Sequence, residues 1–429
     1  MRKIKNFDEL ALDDTRRAAL EIAEAGLQAI DTKNVLRDIV KLDGDALSVS
    51  GEKFLLEKTK KILVVGIGKC AMEAASALEE ILGDRISSGV AVDVRVSGEL
   101  KKIKAFQGSH PLPTEANIKA AKAVVGILSG LGEDDLVLFA ISGGGSTLLC
   151  LPENRDCEEE AMVVNALMRA GAAIEDINTV RKHLSLARGG YLAKYAYPAQ
   201  VISLIFSDVP GDNLEFVASG PTFRDHTTIG EAAAILAKYD VLKTCGIDDC
   251  SLVETPKEDK YFVRVKNILA VSNALALAAM EKKAGELGYK SNVCATCLGG
   301  EAKYVGLAVA KELHKAAAKT AFLYGGETTV KVRGHGRGGR NLELALSALS
   351  ETEDGELIVT LASDGIDNGP FAGAICDKIT KGAIPGGKLD MKFALDGHNA
   401  YPLFEKIGHY LLTGNTGSNV SDLLIALKQ

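Results

Sequence analysis

The stretch KILVVGIGKCAMEAASALEEIL, residues 61–82, decides the fold class. It opens with a short aliphatic run, Ile62–Val65, passes through two glycines and continues with apolar residues at helical spacing. A buried strand, a tight loop and a helix in this order form half of a βαβ unit. The pattern therefore predicts a parallel sheet whose ligands bind beyond the carboxyl ends of its strands.

The same alternation recurs along the chain and predicts an α/β protein. The other predicted strands are Val90–Val94, Leu136–Ile141, Val201–Phe206, Ile268–Val271, Ala321–Tyr324 and Leu357–Ala362. The predicted helices cover 15–30, 71–82, 115–130, 158–173, 230–238, 273–287, 303–318 and 341–349.

The charged, aperiodic stretch 240–262 predicts a boundary between two α/β lobes. The N-terminal lobe, 1–245, is expected to hold a Rossmann-like parallel sheet. The smaller C-terminal lobe, 262–429, is expected to hold a mixed sheet, because residues 328–335 resemble an additional strand. A cleft between two such lobes is the usual place for a small-molecule site.

Composition excludes several classes of protein. Of the 429 residues 47% are hydrophobic and 25% are charged, which is typical of a soluble globular chain. The net charge of −7, without any basic block, argues against a nucleic-acid partner. No apolar run approaches the ~20 residues of a membrane span, and the first residues do not resemble a signal peptide. Eight cysteines, mostly in apolar segments, favour a reducing cytoplasm. A homodimer is compatible with the sequence.

The loop after the first strand, GIGKCA, has the G-x-G-x-x-A spacing of a dinucleotide fingerprint. Gly66 and Gly68 supply the glycines, and Asp93 follows about one βαβ unit later. A dehydrogenase interpretation is therefore legitimate. Lys69, however, stands where the helix begins, and a lysine there is unfavourable unless an anion is near. It indicates a phosphate or carboxylate ligand.

The loop after Leu136–Ile141 is a second candidate anion site. Consecutive glycines let the backbone approach a ligand closely, and two hydroxyls start the next helix. Its residues are Ser142, Gly143, Gly144, Gly145, Ser146 and Thr147. It is not a Walker A loop, and it favours a phosphate or a carboxylate equally.

Other strand ends carry acids and arginines. Paired aspartates there suit a magnesium ion or a base, and arginines beside glycines and a helix start suit an anion. The candidates are Asp208, Asp212 and Asn213 in SDVPGDN, Asp364 and Asp367 in SDGIDNG, Arg181 in NTVRKHLS, Glu327 in GGET, and Arg333, Arg337, Arg340 and Asn341 in RGHGRGGRN. Together they favour magnesium-assisted phosphoryl transfer. The lone pair Cys294 and Cys297 is interpreted as two small buried side chains at a strand end.

Nine ordered segments resemble the class II glycerate kinases, whose C-terminal region is called the MOFRL domain and which older labels call hydroxypyruvate reductases. The segments are VVGIGKCA, QGSHPLPTE, ISGGGSTLL, INTVRKHLS, SDVPGDNLEFVASGPT, GGETTV, GGRNLELAL, ASDGIDNGP and GNTGSNVSDL, and they span nearly the whole chain. The resemblance implies ATP-dependent, magnesium-assisted phosphorylation of D-glycerate to 2-phosphoglycerate. It also implies that Lys69 and Arg340 are the functionally critical cations of the two lobes.

On this interpretation Lys69 and Arg340 stabilise the transferred phosphoryl group. Asp208 is the base or a magnesium ligand, and Asp364 and Asp367 hold the metal or the ribose. Arg181 is the expected clamp for the glycerate carboxylate. The alternative is an NAD(P)H-dependent hydroxypyruvate reductase, which rests on GIGKCA and the older label.

Overall fold

The computed structural model describes residues 2–154, 156–209, 211, 213–332 and 335–429. They divide into two compact units. The terminal unit contains the described residues of 1–31, 208–212 and 271–429. The central unit contains those of 32–207 and 213–270. The central unit differs from the predicted N-terminal lobe, 1–245, at both ends. The described residues of 1–31 fold with the C-terminal part of the chain, and the central unit continues to 270, beyond the boundary predicted within 240–262.

The strands and helices follow the predicted alternation. The strands are β1 Val40–Asp43, β2 Ala46–Val49, β3 Glu52–Leu55, β4 Lys61–Ile67, β5 Ile86–Asp93, β6 Ile103–Gln107, β7 Asp135–Ser142, β8 Gln200–Phe206, β9 Val265–Val271, β10 Lys290–Leu298, β11 Thr320–Gly326, β12 Glu356–Ala362, β13 Gly373–Cys376, β14 Tyr410–Leu411 and β15 Asp422–Lys428. The helices are α1 Phe7–Leu10, α2 Asp14–Ala29, α3 Thr32–Ile39, α4 Ala71–Leu82, α5 Glu115–Leu128, α6 Gly145–Leu148, α7 Cys157–Arg169, α8 Ile174–His183, α9 Tyr191–Ala196, α10 Ile229–Lys238, α11 Val241–Cys245, α12 Asn273–Glu286, α13 Ala302–His314, α14 Arg340–Glu351, α15 Lys378–Gly382, α16 Lys388–Asp396 and α17 Ala400–Ile407.

The central unit is built on a six-stranded sheet with the order β6-β5-β4-β7-β8-β9. β4 pairs in parallel with β5 and β7, β5 with β6, and β7 with β8. Every residue of β7 is buried, as expected of a strand covered by helices on both faces. The carboxyl ends of β4 and β7 lie side by side, so the loops that follow them are neighbours. The central unit also contains a separate antiparallel sheet, β1-β2-β3.

The terminal unit holds a mixed sheet with the order β10-β11-β15-β12-β13-β14. The C-terminal strand β15 lies at its centre, antiparallel to both β11 and β12. Asp422, the first residue of β15, is paired with Gly326 at the end of β11 and with Ala362 at the end of β12. This register brings three chain segments together at one edge of the sheet.

The prediction of an α/β protein with a parallel and a mixed sheet is confirmed. The individual strands were predicted less completely, since the structure adds β1, β2, β3, β6, β10, β13 and β14. Residues 328–332 do not form the predicted strand, and Thr329 makes only an isolated bridge to Glu301. Residues 422–428, where no strand was predicted, form β15, whose aliphatic residues are buried on both faces. No helix among the described residues is long and apolar enough to span a bilayer.

Candidate active site

In the central unit, the two predicted glycine loops contact each other directly. The amide of Lys69 donates to the carbonyl of Gly143 at 3.0 Å, and the amide of Cys70 donates to Oγ of Ser142 at 3.2 Å. Gly68 has φ +111°, and a Cβ there would lie 2.2 Å from Oγ of Ser142. Gly68 is therefore required by the approach of the neighbouring loop, whether or not a nucleotide binds.

The start of α4, which a dinucleotide would use, is already occupied. Asp93 is buried, and its carboxylate accepts hydrogen bonds from the amides of Met72 at 3.0 Å and Arg95 at 3.2 Å. Burial raises the pKa of Asp93, against the opposing effect of these amides. In a dehydrogenase this acid would bind a ribose hydroxyl. Here it binds the helix start instead, which argues against the reductase alternative.

The Lys69 side chain lies along the triple-glycine loop. A Cβ at Gly144, which has φ +82°, would meet the Lys69 Cγ at 3.3 Å and the His110 ring at 3.5 Å. His110 belongs to the segment QGSHPLPTE, which the sequence analysis quoted without assigning it a role. Its place after the end of β6, at the same sheet edge, was the available indication.

The two hydroxyls of this loop have partners within the central unit. Oγ of Ser146 is 2.9 Å from Oγ of Ser219, and Oγ1 of Thr147 donates to the Pro111 carbonyl at 3.3 Å. Ser219 donates in turn to Asn178 at 3.4 Å. These contacts hold α6 against its neighbours. Asn178 and Ser219 are thus additional polar groups beside the loop that the sequence analysis did not single out.

The predicted clamp Arg181 and its neighbour Lys182 have different surroundings in the structure. Lys182 is buried and forms an ion pair with Asp225 at 3.2 Å, so it supports the fold. The Arg181 guanidinium has no hydrogen-bond or ion-pair partner among the described residues. Burial and the nearby charge of Arg188 lower the pKa of Arg181 to about 10. A partly buried cation in this situation is stabilised by an anionic ligand.

In the terminal unit, Arg340 is held by two carboxylates. Its Nε and Nη2 donate to Asp422 at 2.6 and 3.2 Å, and its Nη1 lies 3.0 Å from Glu327. Burial would lower the pKa of Arg340, but the charge and hydrogen bonds of Asp422, together with the charges of Glu327 and Asp367, outweigh burial and hold the pKa above its usual value. Asp422 was not among the sequence candidates. It stands within GNTGSNVSDL, but nothing in that segment indicates a partner for a distant arginine.

Asp367 occupies the start of α14. It is 2% exposed, and its Oδ2 accepts the Leu342 amide at 2.8 Å. Burial, with the charge of Asp422 added, raises the pKa of Asp367 to about 7. Burial likewise raises the pKa of Asp422 to about 6, despite Arg340. The sequence analysis expected this helix start to receive an anionic ligand. In the structure, the protein's own aspartate fills that role.

Asp208 lies in the terminal unit beside the glycine-rich segment 414–419. Asn419 donates to Oδ2 of Asp208 at 3.0 Å, and Ser421 donates to its backbone carbonyl at 2.6 Å. Asp364 is close in the chain to Ser363, whose Oγ accepts the amide of Val420 at 2.8 Å. Asn419 and Val420 therefore link Asp208 to the end of β12.

The remaining candidates vary in how they are placed. Asn341 is buried, and its Nδ2 has no partner among the described residues. Asn213 is exposed. Gly66 packs closely on α4, where a Cβ would lie 3.0 Å from the Ala71 carbonyl. Asp212 and Arg333 lie outside the described residues. Cys294 and Cys297, expected to be buried, are exposed on β10, an edge strand with few buried side chains.

Magnesium ligation by Asp208 and Asp364 stays a prediction. Among the described residues, the acidic, histidine and cysteine side chains that form a group of three with ligand atoms within 4.8 Å are His314, Glu353 and Glu356, away from these aspartates. Isolated carboxylates still fit Mg²⁺, which takes one or two of them together with substrate phosphates rather than an all-protein cage.

The comparisons with known proteins match both parts of the chain. Residues 18–246 match a family model described as a domain of unknown function, DUF4147, and residues 320–422 match the MOFRL family. The glycerate 2-kinase of Pyrococcus horikoshii is 38% identical, covering 96% of this chain and 97% of that protein. The chain belongs to the MOFRL glycerate 2-kinase family. The D-glycerate 2-kinase of Thermotoga maritima is 34% identical, with coverages of 97% and 99%.

Solved structures of this family agree with the fold. A crystal structure of a glycerate kinase from Thermotoga maritima matches with a TM-score of 0.81 and 33% identity, covering 96% of this chain and 99% of that one. A crystal structure of a Pyrococcus horikoshii protein matches with a TM-score of 0.79 and 37% identity, covering 97% and 99%. The resemblance drawn from the sequence is confirmed. The assignment of individual site residues stays a prediction.

Proposed function

We propose that this protein transfers the γ-phosphoryl group of ATP to the 2-hydroxyl of D-glycerate, giving 2-phosphoglycerate. The similarity to glycerate 2-kinases over nearly the full length of both chains carries the proposal. The geometry of the two glycine loops supports it, because it weakens the dinucleotide alternative. Gly68 is explained by the neighbouring loop, and Asp93 by the start of α4.

Phosphoryl transfer depends on positioning and on neutralising charge. Arg340 supplies a cation that Asp422 holds in a fixed orientation through two hydrogen bonds. Lys69 supplies a second cation beside the triple-glycine loop, whose backbone can approach an anionic group closely. We assign both to the phosphoryl group being transferred. The cleft between lobes that the sequence suggested stays a prediction.

The glycerate carboxylate is assigned to Arg181. Its guanidinium has no hydrogen-bond or ion-pair partner among the described residues and is partly buried. The electrostatic attraction to a bound anion is therefore stronger there than at an exposed site. Asp208 is assigned to the 2-hydroxyl as the base. The hydrogen bond from Asn419 to Oδ2 orients its carboxylate.

ATP and Mg²⁺ are the implied ligands. Bound Mg²⁺ would neutralise phosphate charge, and Asp208 and Asp364 would help to hold it. We also propose a cytoplasmic location, because all eight cysteines are unpaired, as in proteins of reducing compartments. We also propose that the protein forms a homodimer, which light scattering would detect.

The test is an incubation with D-glycerate, ATP and Mg²⁺, with the phosphoglycerate isomers resolved by phosphorus NMR. A parallel incubation contains hydroxypyruvate and NADH. Formation of 2-phosphoglycerate without loss of NADH is the expected result. The 3-isomer would contradict the assigned hydroxyl, and NADH oxidation without phosphoglycerate would restore the reductase alternative.

Lys69→Ala and Arg340→Ala test the two cations. Each should lower kcat roughly a hundredfold or more while the circular dichroism spectrum stays unchanged. Lys60→Ala is a matched lysine control, because the Lys60 side chain is exposed and pairs only at the surface with Asp134. Near-normal turnover in either site variant would remove its assigned role.

A further inference from the structure

A cavity of about 410 Å³ opens beside the first turn of α14 in the terminal unit. This volume lies within the range of small-molecule sites, and a three-carbon acid would fill only a fraction of it. Val330 and Val332 form part of its wall, and Thr328 and Thr329 bring hydroxyl groups. The walls thus suit a ligand with both a flat apolar part and polar groups.

The charges that line this cavity select against an anion. Glu327, Glu343 and Asp367 contribute three carboxyl groups, whereas Arg340 contributes one guanidinium that is already paired. An added carboxylate or phosphate deep inside would meet a surplus of negative charge. A neutral group rich in hydrogen-bond donors would meet acceptors instead.

Glu343 is an acceptor that the protein itself leaves incomplete. Its side chain is 3% exposed, and its Oε2 is 2.9 Å from Nδ1 of His398. Its Oε1 is shielded from solvent and has no hydrogen-bond partner among the described residues. An unsatisfied buried carboxylate oxygen is costly, so a donor in the cavity would favour a small rotation of the Glu343 carboxylate that brings Oε1 to it. Since Nδ1 of His398 faces Glu343, the other ring nitrogen remains for a ligand.

We propose that this cavity binds the nucleoside part of ATP, with Glu343 and His398 accepting hydrogen bonds from the ribose hydroxyls or the 6-amino group. The phosphates then leave the cavity on the side of Arg340, one helical turn before Glu343 on α14. This inference rests on the proposed function, since it assumes ATP as the donor.

The experiment measures binding of adenosine, which carries no phosphate, to the full chain by isothermal titration calorimetry. The wild type should bind adenosine, and Glu343→Gln should bind it roughly tenfold or more weakly, because the amide offers a donor where an acceptor is needed. Glu351→Gln is the matched control. It makes the same change on the exposed end of the same helix and should bind adenosine within twofold of the wild type.

Two analogues of adenosine identify which of its groups donates the hydrogen bond to the cavity. Loss of affinity for inosine assigns the 6-amino group, and loss for 2′-deoxyadenosine assigns the ribose. If Glu343→Gln does not fold, Thr329→Trp replaces it, because Thr329 is exposed, lines the cavity and would carry the indole into it. Thr329→Trp should abolish adenosine binding.

Adenosine affinity that is unchanged in both variants overturns the proposal, and so does failure of the wild type to bind adenosine. A kinase assay on the wild type distinguishes failure of this nucleoside site from failure of the proposed function. Phosphoglycerate formation together with unchanged binding in the variants leaves the function standing and removes this subsite. Absence of phosphoglycerate removes the function, while adenosine binding still reports on the cavity.

Discussion

Replacing Asp422 with asparagine should make the protein more stable and less active at the same time. The carboxylate of Asp422 is 8% exposed and shares its surroundings with Glu327 and Asp367. Three acids therefore surround the single guanidinium of Arg340. Burial raises the pKa of Asp422 to about 6, which means that the folded state holds its proton more tightly than the unfolded chain.

The magnitude follows from that shift. The ordinary pKa is 3.8, so ionising Asp422 in the folded protein costs on the order of 1–3 kcal/mol at pH 8. The penalty appears as the pH rises from about 4 through about 6 and is complete above that range. Asparagine has the same shape and never ionises. The variant should be more stable by this amount at pH 8 and equal to the wild type near pH 4.

Activity should move in the opposite direction. The asparagine side chain cannot hold Arg340 with two charge-assisted hydrogen bonds, so the guanidinium loses its fixed orientation. We expect kcat to fall roughly a hundredfold, about 2.7 kcal/mol of barrier. In the wild type, kcat should also fall below about pH 6 as Asp422 takes up its proton.

The assays are urea unfolding followed by circular dichroism at pH 4, 6 and 8, since the chain has no tryptophan, and a coupled kinase assay. Asp354→Asn is the control, because Asp354 forms an exposed ion pair with Lys378 and should change stability by less than about 1 kcal/mol at every pH. A variant clearly less stable than the wild type at pH 8, or one with normal kcat, would refute the reasoning.

Three further predictions test the glycine loop, the thiols and the anion clamp. Gly68→Ala should lower the thermal midpoint strongly, because its Cβ would lie 2.2 Å from Ser142 Oγ, whereas Gly130→Ala, which has a positive φ in open space, should cost only about 1 kcal/mol. Ellman's reagent should titrate Cys294 and Cys297 rapidly in the native protein and the buried cysteines only after denaturation, and slow reaction of this pair would contradict its exposure. Arg181→Ala should raise KM for glycerate roughly tenfold or more with an unchanged unfolding midpoint, and an unchanged KM would place the carboxylate elsewhere.

The sequence predicts the buried strands of the central unit well, because residues covered on both faces form continuous aliphatic runs. Leu136–Ile141 and Val201–Phe206 each fall within one residue of the strands observed. The predicted helix 71–82 matches α4 to the residue, since a glycine loop and Gly83 bound it. β15 was missed because its run, DLLIALK, is as compatible with a helix as with a strand when only its hydrophobicity is considered.

The residues of the candidate site could likewise be predicted only in part from the sequence. Glycines and cations near strand ends could be selected from their local pattern, which is how Lys69 and Arg340 were found. Asp422 and His398 could not be selected, because each acts on a residue more than fifty positions away in the sequence. The buried structural roles of Lys182 and Asp93 could not be predicted either. The sequence alone does not distinguish a charged residue that stabilises the fold from one that binds a ligand.

The position of β15 has a consequence for how the protein is made on the ribosome. The central unit is continuous apart from 208–212, so it can fold while later residues are still being synthesised. The described residues of 1–31, in contrast, must wait for partners from 271–429, and the central strand β15 follows every other strand of its sheet in chain order. Because Asp422 opens that strand, Arg340 gains this partner only once β15 has been synthesised and has paired with its neighbours. A deletion of residues 422–428 would therefore remove both the central strand of the sheet and the orientation of Arg340.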